Sequence, residues 1–68
     1  MYQVFVDLQT SDDFILGEYK DKDGAYEAVL LAFKQGFVEY NSTTGSSIYP
    51  LSSVERFIIR PSTKNVLN

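Results

Sequence analysis

Apolar and polar residues alternate at the start of the chain. Tyr2, Val4, Val6 and Leu8 fall on one side, and Gln3, Phe5 and Asp7 on the other. A period of two over this length predicts a strand with one buried face. Gln9-Thr10-Ser11-Asp12-Asp13 is a run of turn formers. Phe14 to Tyr19 then reads as the returning strand of a hairpin. Gly17 inside it marks a bulge or a close approach of backbone.

The period changes after Tyr19. Asp21-Lys22-Asp23-Gly24 opens a helix: an aspartate caps free backbone N–H groups, and the acids oppose the positive end of the helix dipole. Tyr26, Val29, Leu30 and Phe33 recur at i, i+3, i+4 and i+7, which predicts one apolar helical face. Ala25, Ala28 and Ala32 favour helix and permit close packing on a sheet. Leu31 lies on the opposite side of the wheel. Gly36 is placed to end the helix, with Lys34 in the last turn.

Phe37 to Tyr40 is predicted as a third strand, followed by a loop of turn residues from Asn41 to Ser47. Ile48-Tyr49 is a short strand stopped by Pro50. Leu51-Ser52-Ser53 forms a tight link. Val54 to Arg60 is the last strand, and its Phe57-Ile58-Ile59 run implies burial on both faces. The expected fold is α+β, in the order β-β-α-β-β-β: an antiparallel sheet of four to five strands with one helix packed on one face. Residues 1–61 form a single domain, and residues 62–68 a polar, frayed tail in which Val66 and Leu67 are able to dock.

One helix covers only one face of such a sheet. Phe5 lies opposite Val4 and Val6, and the strands at Phe14 and Phe57 carry large apolar groups of both parities. Apolar side chains therefore remain after the helix has taken its share. An apolar patch left on a small protein often marks an interaction surface.

Composition narrows the chemistry. The 68 residues contain no Cys, no His and no Trp. Thiolate and imidazole catalysis and the usual zinc ligands are thereby excluded. Neither a signal peptide nor a membrane span is legible, so the expected location is the cytoplasm. Six basic against nine acidic residues leave a net charge of -3. Residues 1–27 hold seven acids and two bases, a net of -5; residues 28–68 hold four bases and two acids, a net of +2. The first hairpin and the helix start thus form an acidic rim, able to steer the protein towards a basic surface.

Specific motifs mostly fail. With Gly24 at the sixth position of a calcium loop, positions 1 and 12 are Tyr19 and Leu30, which supply no carboxylate. Asp12-Asp13 reads as turn chemistry rather than a catalytic pair. The hydroxyl-rich stretch from Ser42 to Ser47 lacks a phosphate-binding glycine pattern. Phe5, Tyr19, Tyr40 and Tyr49 are candidate base-stacking rings, but Arg56, Arg60 and Lys64 make only a thin basic cluster.

The sequence therefore predicts a non-enzymatic protein–protein interaction module with no cofactor and no metal. It would act as an inhibitor or regulator of a host or cellular protein. Small acidic chains of this build are common among phage and mobile-element accessory proteins, an analogy of size and charge. The expected contact residues are Asp12, Asp13, Glu18, Asp21 and Asp23 for a basic partner, with Phe5, Tyr40 and Leu31 as apolar anchors. The alternatives are a self-assembling subunit, dimeric through the second sheet face or a sheet edge, and a weak single-stranded nucleic-acid binder.

Overall fold

The computed structural model describes residues 1–10 and 12–62. Of the expected tail at residues 62–68, residues 63–68, with Val66 and Leu67, lie outside the described residues. The elements are β1 (Tyr2–Leu8), β2 (Phe14–Tyr19), α1 (Lys22–Gln35), β3 (Phe37–Ser42), β4 (Gly45–Pro50), a 3-10 turn (Leu51–Ser53) and β5 (Val54–Pro61). The class is α+β and the order is the one the pattern predicts. The strands divide between two antiparallel sheets instead of one, a three-stranded sheet in the order β2-β1-β5 and the separate pair β3-β4.

The division follows from the core. Val6, Leu8, Ala32 and Val38 form its buried centre, with Phe14, Leu16, Tyr49, Leu51, Val54 and Phe57 packed around them. Val38 of β3 pairs with Tyr49 of β4. These side chains share one core with Val6 and Leu8 of β1, and β3 approaches the edge strand β2 without forming a ladder with it, so the second hairpin packs against the first sheet and does not lengthen it. The Leu51 N–H donates to the Gly36 carbonyl at 3.2 Å and ties the end of the hairpin to the end of the helix.

Two irregularities shape the first sheet. The β1–β2 register passes from Val4↔Gly17 to Phe5↔Ile15, which leaves Leu16 as the extra residue of a bulge. A Cβ on Gly17 would stand 2.8 Å from the Tyr19 hydroxyl, so the glycine also admits a close neighbour. The β1–β5 register slips between Asp7 and Leu8.

The helix is capped as its sequence requires. Asp21 Oδ1 accepts a hydrogen bond from the Gly24 N–H at 2.8 Å. Gly36 ends it in the left-handed region, with φ of 87°, and its N–H donates to the Ala32 carbonyl. The face it presents to the sheet differs from the predicted apolar face. Ala25 and Ala32 are buried, while Tyr26, Leu30 and Phe33 are exposed. Ala25, Ala28, Val29 and Ala32 share one side of the wheel, and Tyr26, Leu30 and Phe33 lie roughly a third of a turn away. Small side chains bring the helix close to the sheet; larger ones at those positions would hold it off.

Other boundaries move as well. The predicted loop from Asn41 to Ser47 is mostly strand. Only Thr43 and Thr44 lie between β3 and β4, and the pairing runs on to Ser42↔Gly45. Its hydroxyls are hydrogen-bonded within the hairpin: the Ser46 hydroxyl donates to Asn41 Oδ1 at 2.6 Å, and the Ser42 hydroxyl to the Gly45 carbonyl at 3.0 Å. β5 is an edge strand, and its Phe57, Ile58 and Ile59 are half-buried rather than enclosed on both faces. Ser62, expected in the frayed tail, is anchored: its N–H donates to the Met1 carbonyl and its hydroxyl to Glu18 Oε2.

Candidate functional site

The helix and β3-β4 cover the side of the first sheet that bears Val4, Val6 and Leu8. Its other side carries a short apolar row across the three strands, where Phe5 stands between Ile15 and Ile58. Polar pairs flank this row. Arg56 Nε donates to Asp7 Oδ2 at 3.0 Å. Gln3 Nε2 donates to Glu18 Oε2 at 3.3 Å. The Arg60 guanidinium lies over the Phe5 ring, 4.0 Å from its centroid. At a partly exposed position such a contact contributes roughly 0.5–1 kcal/mol. The second face is thus partly closed by the protein's own arginine, and Phe5 is half-buried.

The eight expected contact residues fall into separate places. Phe5 and Glu18 belong to this outer face. The Asp21 carboxylate is engaged by the helix cap, and Asp23 lies in the first helical turn. Leu31 is exposed and borders a shallow hollow of about 190 Å³ shared with Leu16, Tyr19 and Val38. Burial there raises the Tyr19 phenol above its ordinary value of 10.0. The continuous acidic rim from Asp12 to Asp23 is therefore divided between the two ends of β2.

Asp12, Asp13 and Tyr40 do come together. With Phe14 and Tyr49 they line an open hollow of about 360 Å³. The local sequence explains the convergence. Asp12 and Asp13 lie just before β2, and Phe14, its first residue, pairs with Val6. In the second sheet Tyr40 shares a face with Val38, and Tyr49 is the cross-strand partner of Val38. Packing this hairpin over the sheet therefore brings both tyrosines to Phe14. The ring centroids lie 5.1 Å apart for Phe14 and Tyr40, and 5.6 Å apart for Phe14 and Tyr49. Both separations fall within the favourable range for aromatic pairs.

This combination of rings and carboxylates can attract a cation. Aromatic faces are electron-rich and attract ammonium or guanidinium groups. The two exposed carboxylates beside them supply net negative charge and acceptors for charge-assisted hydrogen bonds. Phe14 is not among the expected contact residues, although it directly follows Asp12-Asp13 in the chain. The role of Tyr49 beside them depends on a contact between the two hairpins that no spacing in the chain reveals.

The four candidate base-stacking rings are scattered. Phe5 lies beneath Arg60, Tyr19 sits beside the helix, and Tyr40 and Tyr49 pack on Phe14. Among the described residues no helix is long and apolar enough to cross a membrane. No protein-family model matches the sequence, and neither a curated protein nor a solved structure gives a significant match to the chain.

Proposed function

We propose that this chain is a small protein-interaction module that receives a basic segment of a partner protein. The observation that carries the reading is the meeting of Asp12 and Asp13 with the Phe14, Tyr40 and Tyr49 rings in one open hollow. An arginine or lysine side chain entering it would lay its charged group against the rings and the two carboxylates. The net charge of -5 over residues 1–27 would speed the approach of a basic partner. In this role the protein would act by occupying a partner's basic surface, as an inhibitor or regulator does.

The test is an NMR titration of the labelled protein with an arginine- and lysine-rich peptide, and with an acidic peptide of the same length as control. The basic peptide should shift the amides around Asp12, Asp13, Tyr40 and Tyr49. Affinity should fall steeply as salt rises to roughly 0.5 M, where screening acts over only a few ångströms. Asp12→Asn/Asp13→Asn should weaken binding by about tenfold or more. Shifts confined to other surfaces, or full affinity in the double variant, would refute the assignment of this hollow.

A further inference from the structure

The helix has two apolar faces and buries only one. Ala25 and Ala32 meet the sheet, while Tyr26, Leu30 and Phe33 remain 52%, 63% and 58% exposed. The three lie at i, i+4 and i+7 and form a stripe roughly 10 Å long. The stripe continues onto β5, where the Phe57 ring meets Phe33 edge-on at 5.5 Å between centroids. With about 200 Å² for an aromatic side chain, the three residues present roughly 300 Å² of apolar surface. A patch of that size on a small protein is commonly a contact surface.

We infer that this stripe is covered by a second copy of the chain, through antiparallel packing of two α1 helices about a two-fold axis near Leu30. The charges favour that occupant. Asp23 stands in the first turn and Lys34 in the last, with Glu27 between them on the same flank of the stripe. In an antiparallel pair this flank meets its own copy. Lys34 then falls beside Glu27 and Asp23 of the second copy, and the reverse holds across the axis. Tyr26 falls opposite Phe33 in both halves, and Leu30 meets Leu30. Antiparallel helix dipoles add to the complementarity. Self-complementarity of this kind is what a two-fold interface requires. The apolar stripe is well short of the ~800 Å² per partner of a standard interface, so the dimer is a weak, reversible one.

Sedimentation equilibrium from micromolar to millimolar protein tests this, with circular dichroism as a check on folding. The wild type should pass from monomer to dimer across the range. Leu30→Glu should raise the dissociation constant by about tenfold or more, because it puts a charge at the centre of the contact. Leu31→Glu should leave it nearly unchanged, since Leu31 is similarly exposed but lies roughly 130° around the helix from the stripe. Lys34→Glu should weaken the dimer by about fivefold, and adding Glu27→Lys should restore it, a rescue that only pairing between copies provides. A monomer at every concentration would overturn the inference and leave the stripe to a different partner. Association abolished by Leu31→Glu but not by Leu30→Glu, or a charge swap without rescue, would overturn it as well. The peptide titration reads amides around Asp12, Asp13, Tyr40 and Tyr49, none of them on α1, so its result is distinguishable from this one.

Discussion

The orientation of the helix is open to a direct test, because two substitutions distinguish the alanine face from the larger apolar face. Leu30 belongs to the face that its spacing would bury, yet it is 63% exposed. Removing a fully buried leucine costs about 2–5 kcal/mol. With only about a third of its surface covered, Leu30→Ala should cost no more than about 1 kcal/mol, and the better helix propensity of alanine returns a few tenths. Ala32 is the opposite case. It is 3% exposed and packs with Val6, Leu8 and Val38. Ala32→Ile adds three carbons against these neighbours, at the border of the hollow shared with Leu16, Tyr19 and Val38, and overpacking of this sort costs about 1–3 kcal/mol. A domain of this size has roughly 3–10 kcal/mol of stability in total. Each kcal/mol moves the melting temperature of such a domain by about 4–8 °C. Leu30→Ala should therefore lower Tm by less than about 8 °C, and Ala32→Ile by roughly 4–24 °C. Thermal and urea unfolding followed by circular dichroism, at low micromolar protein so that self-association does not contribute, measures both. If Leu30→Ala proves the more damaging change, the helix faces the sheet with its leucine side and the packing described above is wrong.

Two further predictions concern single groups. Asp21→Ala removes the acceptor for the Gly24 N–H and should lower stability by about 1 kcal/mol, while Asp21→Asn keeps most of it. Equal losses in urea unfolding would show that the carboxylate charge acts there and the hydrogen bond does not. Tyr19 supplies a pH dependence. Its phenol is raised above 10.0 by burial, so the unfolded chain ionises first as pH climbs. The stability it protects is complete below pH 10.0 and is lost as pH rises from there through the higher folded value. Melting curves taken across that range should fall less steeply in Tyr19→Phe than in the wild type. Identical slopes would remove Tyr19 as the source.

What the sequence determined by itself is local. Alternation at Tyr2 to Leu8 set the first strand and its buried parity, since neighbouring side chains on a strand must point to opposite faces. Asp21 and Gly36 bounded the helix through hydrogen bonds that reach only a few residues. Asp12-Asp13 read as a turn and as contacts for a basic partner, with no aromatic assigned beside them. The tertiary structure decided what distance along the chain conceals. Helical spacing identified Tyr26, Val29, Leu30 and Phe33 as one face, but periodicity does not state which face is buried, and of the four only Val29 lies half-buried on the alanine side. The sheet chose the alanines because they allow the closest approach. Strand patterns likewise do not say whether two hairpins join edges or stack. Packing of β3-β4 against the first sheet brought Tyr40 and Tyr49 to Phe14, and so gathered rings and carboxylates from residues more than 25 positions apart around one hollow. The acidic rim dissolved for the same reason: a strand of six residues separates its two halves in space, although they are close in sequence.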